Sequence, residues 1–261
     1  MLSPELFEKA LAASIQAAGA GAKVLLSALP SSDSELHIAS KNDGSLVSDA
    51  DYASEKIITE ILTPLGIPMI TEEGSIPPYE ERKCWKNYFL IDPLDGTESF
   101  LSHRSGFAVN IALCDETGPI IGIVADPIAN RIYIGAMGHD FSITQIDGLN
   151  PKTIIPEAIQ KPYRLVTSWV EEASLEDLVP PGIDPSEVIA RPVSGALKFC
   201  KLALGEAEIH VRTGSYMEWD CAAGDAILRS VGVDVLDIKT NKRLAYNSED
   251  LRVNGLYASR L

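Results

Sequence analysis

Tyr88-Phe89-Leu90-Ile91-Asp92-Pro93-Leu94-Asp95-Gly96-Thr97 passes from an aromatic and aliphatic run straight into two aspartates. Four such residues bounded by turn formers predict a buried strand over 88–91. Asp92 to Thr97 then occupy the turn at its carboxyl end, where layered sheets place their ligands. Pro93 holds Asp92 extended and Gly96 permits a turn too tight for a side chain, so both carboxylates can converge on one hard, oxygen-seeking ion. Thr97 adds a hydroxyl. An ordinary polar turn has the same dipeptides, so the hexapeptide alone leaves both readings open.

Working outward, the apolar run Ile67–Ile70 ends at Glu72-Glu73 and Gly74, twenty residues upstream of Asp92. An isolated Glu pair is a solvated loop. If the two strands are neighbours, however, Glu72, Asp92 and Asp95 leave the sheet on one edge, and only a cation makes that cluster tolerable. Downstream, Phe107–Cys114, Ile120–Ala125, Arg131–Ala136 and Ser142–Ile146 are rich in β-branched or aromatic residues between turn formers, predicting a largely antiparallel sheet. Two helices precede it. Ser3-Pro4-Glu5 starts the first, whose apolar residues recur every three to four positions to Pro30; Asp49 is the expected cap of the second, which ends at Pro64 and Gly66.

Beyond Asn150–Pro151 strands and helices alternate: a strand at 164–167, a short helix at 173–178, a helix at 194–204, a strand at 207–211, a helix at 220–231 and a strand at 233–236. The expected division is an α+β half over 1–155 carrying most of the acidic residues, and an α/β half over 156–261. Trp219-Asp220-Cys221-Ala222-Ala223-Gly224 opens one of these helices. Asp220 suits a capping role, while the small residues let that helix end approach another backbone, turning its positive end toward a phosphate and Asp220 toward a metal. A helix's first turn can lower a thiol pKa, so a redox-sensitive Cys221 is weighed against the more ordinary inert thiol.

The 261 residues carry 22 basic and 37 acidic side chains, a net charge of −15, which argues against nucleic-acid polymers as ligands. A phosphorylated small molecule requires backbone amides, a few Lys or Arg, or bound metal to supply a local positive field. Cys84, Cys114, Cys200 and Cys221 show no C-x-x-C spacing, which points to a reducing compartment and no structural zinc. No basic n-region and no membrane-length apolar run is evident, so a cytoplasmic protein is expected.

Glu72-Glu73, Asp92-Pro93-Leu94-Asp95-Gly96-Thr97 and Trp219-Asp220-Cys221-Ala222-Ala223-Gly224, in this order and spacing, resemble the metal-dependent, lithium-sensitive phosphatases of the inositol monophosphatase superfamily. Ser194-Gly195-Ala196-Leu197-Lys198-Phe199-Cys200 is most similar to its CysQ-type 3'(2'),5'-bisphosphate nucleotidases. The resemblance spans about Phe7 to Val253. It implies a layered α-β-α-β-α sandwich of the inositol monophosphatase and sugar phosphatase type. It also implies two or three Mg²⁺ held by Glu72, Asp92, Asp95, Asp220 and the Leu94 carbonyl, with Li⁺ as inhibitor. Substrate contacts fall to Leu94, Asp95, Gly96, Thr97, Ser194, Lys198 and Asp220; catalysis falls to Glu72, Thr97 and Asp51, which pairs with the threonine to activate water. Four carboxylates and a phosphate monoester, about −6 together, are brought near neutrality by two or three divalent ions.

The implied reaction is removal of the 3'-phosphate of adenosine 3',5'-bisphosphate, or of its sulfated form, in sulfur assimilation and nucleotide recycling. An inositol or sugar phosphatase is the alternative, and a non-catalytic nucleotide or metal sensor the third. Two departures bear on the choice. Ser168 is followed by Trp169-Val170-Glu171 where the nucleotidases carry Arg-Ser-His, and Thr97 by Glu98 where they carry Lys. Trp169 offers a stacking platform for adenine. A monomer is the expectation for the nucleotidase branch, a dimer for the inositol branch. Structural roles are expected for His103 and His210.

Overall fold

The computed structural model describes residues 2–29, 38–40, 46–102, 105–168, 174–180 and 182–261. In chain order the elements are α1 (Pro4–Ala28), β1 (Ile38–Ser40), β2 (Leu46–Ser48), α2 (Asp49–Leu62), β3 (Met69–Thr71), α3 (Tyr79–Arg82), β4 (Asn87–Asp95), α4 (Thr97–Ser102) and β5 (Ala108–Asp115). They continue with β6 (Gly118–Asp126), β7 (Arg131–Ala136), β8 (Ser142–Thr144), β9 (Lys152–Thr153), β10 (Tyr163–Thr167), α5 (Leu175–Leu178) and β11 (Val188–Pro192). The chain ends with α6 (Leu197–Leu204), β12 (Ile209–Met217), α7 (Glu218–Ser230), β13 (Val235–Asp237) and β14 (Arg252–Ser259).

β3 to β9 form a seven-stranded sheet in sequence order, antiparallel except for the parallel pair β3–β4. The second sheet has the order β11-β10-β12-β14-β13. Alternation along β4 shows why layers result. Phe89 and Ile91 enter a core shared with α1 and α2, whereas Tyr88 and Leu90 enter another shared with α6 and α7. Leu178 of α5 packs in a third core with Leu165 and Ile209. The result is the expected α-β-α-β-α sandwich, with α6 and α7 between the sheets.

The N-terminal cap of α1 is as the sequence predicts, since Ser3 Oγ accepts from the Leu6 amide at 3.2 Å. α2 differs: Ser48 caps it, and Asp51 Oδ2 accepts from the Ser48 amide and hydroxyl at 2.8 and 2.7 Å. Asp49 is merely its first residue. β1, β2, β9, β11 and β14 are strands that the sequence pattern missed, the first four being too short or too polar to show periodicity. Helix α1 is long and apolar enough to cross a membrane by length and composition, contrary to expectation. Yet Ala10, Ala17, Ala18, Ala22 and Leu25 are fully buried in the core with α2 and the first sheet. The small residues of α7 do allow close approach, because a Cβ on Gly122 of β6 would lie 2.1 Å from the Ala223 carbonyl oxygen.

Candidate active site

The two aspartates of the hexapeptide lie inside β4 rather than in a turn beyond it. Asp92 pairs with Asn110 and Asp95 with Ala108, so β4 advances three residues while β5 advances two. This one-residue bulge has a decisive effect. In a regular strand residues three apart face opposite sides, and Asp95 would follow Phe89 and Ile91 into the outer-helix core. The bulge returns it to the face of Asp92, toward the space between the sheets. Ser54 of α2 braces the bulge by donating to the Pro93 carbonyl at 2.8 Å, and the Leu94 amide donates to Asp92 Oδ1 at 3.0 Å.

β3 runs parallel beside β4, and the Glu72 amide donates to the Ile91 carbonyl at 3.1 Å. Glu72 therefore emerges next to Asp92, while the neighbouring Glu73 amide is tied to Glu55 at 3.0 Å. From the other half, Asp220 arrives in the first turn of α7, its Oδ2 accepting from the Met217 amide at 2.9 Å. Glu72, Asp92 and Asp220 bring carboxylate oxygens within 4.8 Å of one another. Burial and then the neighbouring acids Glu72, Asp95 and Asp220 push the Asp92 carboxyl well up. Asp220 is pushed up to about 8, by burial first and then by Asp95 and Glu72. Three clustered carboxylates that repel one another are the donor set of a hard divalent cation, so the residues present fit Mg²⁺. When bound, such an ion neutralises a phosphoryl oxyanion and acidifies water.

Asp95 stands apart from this trio. Its Oδ2 accepts from Asn110 Nδ2 at 3.1 Å and from the Ala196 amide, so the carboxylate joins β4 to the loop before α6. Gly195 makes that contact possible: its φ is +51° and an added Cβ would sit 2.3 Å from Asp95 Oδ2. The Leu94 carbonyl accepts from Thr97 Oγ1 at 3.3 Å, and the same hydroxyl reaches Asp51 Oδ1 at 3.2 Å. Asp51 and Thr97, forty-six residues apart, thus form the pair implied by the resemblance.

These groups open onto a cavity of about 380 Å³ that also takes in Gly96, Glu98, Ser99, Ser168, Ser194, Lys198, Arg212 and Tyr216. Ser194 shares a hydrogen bond with Ser99 at 3.0 Å, linking the two halves at the cavity wall. Lys198 is buried rather than snorkelling; its Nζ donates to the Val193 carbonyl at 3.1 Å, and burial draws its pKa down to about 8. Arg212 stacks 3.9 Å from the Tyr216 ring centroid and donates to Ser168 Oγ at 2.7 Å. Arg212 and Tyr216 escaped sequence analysis because the apolar pattern stops at Val211. The available signal was the polar run Arg212 to Ser215, which continues β12 through a second one-residue bulge, Arg212 pairing with Leu256 and Ser215 with Asn254.

Three cysteines are buried, and burial pushes the Cys221 thiol well up, which favours the inert thiol over the reactive one. His210 is not without partners: its Nδ1 lies 3.1 Å from the Val166 carbonyl and its ring meets Phe199 edge to face at 4.8 Å. His103 and Trp169-Val170-Glu171 lie outside the described residues.

Comparison with known proteins fits this geometry. The inositol monophosphatase family model matches residues 7–260, so the chain belongs to the inositol monophosphatase family and is a phosphatase. Among curated relatives, the 3'(2'),5'-bisphosphate nucleotidase CysQ of Escherichia coli O6:H1 is 33% identical over 222 residues, 84% of this chain and 87% of the relative. The crystal structure of CysQ from Bacteroides thetaiotaomicron superposes with a TM-score of 0.84 at 26% identity, covering 95% of this chain and 96% of that one. Inositol monophosphatase from Anabaena (Nostoc) sp. PCC 7120 shares the fold, with a TM-score of 0.70 at 21% identity over 95% of this chain and 89% of that one.

Proposed function

We propose that the chain is a Mg²⁺-dependent bisphosphate nucleotidase that removes the 3'-phosphate of adenosine 3',5'-bisphosphate, and of its sulfated form, leaving the 5'-nucleotide and phosphate. The observation that carries this reading is the polarity of the cavity. Glu72, Asp92 and Asp220 line one side, fit for cations that receive the scissile phosphate; Lys198, Arg212 and Ser168 offer cationic and hydroxyl donors for a second anionic group. A monoester with one phosphate leaves that second set unused. The curated nucleotidase relatives support the same substrate class.

In this reading Asp95, Asp220 and the Leu94 carbonyl complete the ligation of two or three ions, and Li⁺ inhibits by displacing one. Glu72 and the Thr97–Asp51 pair take the proton of the attacking water, a role that the Thr97–Asp51 hydrogen bond suits. Gly96, Thr97 and Ser194 bind the phosphate. The protein acts as a cytoplasmic monomer, with its halves meeting near residue 155.

Phosphate release from adenosine 3',5'-bisphosphate and from inositol 1-phosphate, at matched concentrations with and without Mg²⁺, tests this. The expected result is Mg²⁺-dependent preference for the bisphosphate. Preference for the inositol ester would support the second reading, which Glu98 on the cavity wall favours by adding a negative charge beside the carboxylates.

A further inference from the structure

Arg82 is a buried cation, 2% exposed, and both of its terminal nitrogens point to one distant segment of chain. It donates to Asn247 Oδ1 at 2.7 Å, the Ser248 carbonyl at 2.6 Å and the Glu249 carbonyl at 2.6 Å, besides the Pro77 carbonyl at 3.2 Å. Asn247 Nδ2 answers by donating to the Arg82 carbonyl at 2.6 Å. The other side of that segment grips Glu218, which is fully buried: the amides of Asn247 and Ser248 donate to its carboxylate at 2.5 and 2.8 Å, as does the Ser248 hydroxyl. The Glu218 amide in turn donates to the Leu251 carbonyl at 2.9 Å. Carbonyls of 248–249 face the cation and amides of 247–248 face the anion, so one turn relays a buried charge pair that never touches directly.

The ends of this relay are informative. Arg82 closes the segment that begins at Glu72, and Glu218 opens α7 two residues before Asp220. Glu72 and Asp220 are contributed by different halves, and their oxygens repel each other when no cation lies between them.

We propose that Arg82, Asn247 and Glu218 form a positioning clamp that fixes the segment carrying Glu72 against the start of α7, and so sets the affinity of the carboxylate trio for divalent cations. This rests on the cation-binding reading above. The three residues touch neither cation nor substrate. Two buried charges bonded to one turn tie distant elements together through fixed hydrogen bonds, which suits this role. Arg82→Lys removes the planar fork while keeping the charge, and Glu218→Gln keeps the shape while removing the charge.

The test is Mn²⁺ binding, read from the electron paramagnetic resonance signal of free Mn²⁺ at a temperature well below each variant's Tm. Arg82→Lys and Glu218→Gln are expected to weaken Mn²⁺ binding by about tenfold or more, as support of metal ligands does elsewhere. Because the residues act as one unit, the double variant is expected to be little weaker than the poorer single one. Ile121→Val, a core trim that lowers Tm without touching the clamp, leaves Mn²⁺ affinity unchanged. Should Arg82→Lys not fold, Asn247→Gly carries the same expectation, since glycine keeps the left-handed backbone of Asn247 (φ 63°) and removes only its side-chain bonds. Mn²⁺ affinity preserved within about twofold in folded clamp variants overturns the clamp and leaves the cation site standing. Wild-type protein that binds no Mn²⁺ overturns both.

Discussion

β4 and β12 each carry a single extra residue, β4 between Asp92 and Asp95 and β12 between Arg212 and Ser215, and each bulge faces the same cavity. Their surroundings differ. The bulged part of β4 is buried throughout, braced by Ser54 behind and by Asn110 and Ala196 in front. On β12, Thr213, Gly214 and Ser215 are exposed, and Arg212 is only partly covered. The acidic wall is thus built on a buried bulge, where electrostatic interactions are strong. The basic wall joins buried Lys198 to Arg212, which is partly solvated and more screened.

The largest expected effect follows from breaking the acidic wall. Asp92→Asn removes the most buried member of the trio, and phosphate release should fall about a thousandfold or more at any Mg²⁺ concentration. Turnover within tenfold of wild type would show that the trio is not the reaction centre. On the basic wall, Arg212→Ala deletes a charge-assisted hydrogen bond worth about 1.5–3 kcal/mol, so KM for the bisphosphate should rise some ten- to hundredfold. A monophosphate substrate should barely notice. Equal losses for both substrates would erase the distinction between the walls.

The pH dependence sharpens the comparison further. Asp92 and Asp220 have raised pKa values in the metal-free fold, so they retain protons that the unfolded chain has released above about pH 3.9. Their contribution to stability is therefore lost as pH rises toward about 8 for Asp220. Mg²⁺ must expel those protons. The gain in Tm on adding Mg²⁺ should grow from pH 5.5 to pH 8, and calorimetry in two buffers of different ionisation enthalpy should register proton release near neutrality. A pH-independent gain would contradict the buried, mutually repelling trio. His210 acts in the opposite sense: burial holds its pKa well down, so stability falls as pH drops below about 6.5, with or without metal. The smallest effect concerns Cys221, where peroxide inactivation, if any, should be the same in wild type and Cys221→Ser, because the thiol is buried with a raised pKa.

Legibility in the sequence followed locality. The strand before Asp92, the Ser3 cap of α1, and Glu72 beside Asp92 were all readable, since each depends on a few adjacent residues or on two strands being neighbours. The hexapeptide shows that Asp92 and Asp95 are close in sequence, but not that Asn110 and the Ala196 amide hold one oxygen of Asp95. Asp49 and Ser48 are both residue types that suit a cap, and only the reach of Asp51 back to Ser48 decides between them. Arg212 lay past the end of an apolar run, and the polar run to Ser215 reads as a strand only through its pairing with β14, Arg212 with Leu256.

By itself the sequence determined most of the candidate chemical side chains and which faces of the elements are apolar, because residue type and periodicity are local properties. Tertiary structure decided which carboxylates meet. That outcome depends on a one-residue bulge in β4, on a glycine with no Cβ at position 195, and on a helix from the other half arriving with Asp220 in its first turn. Each is a matter of register and close approach between segments distant in the chain, and a linear pattern holds no record of such distances.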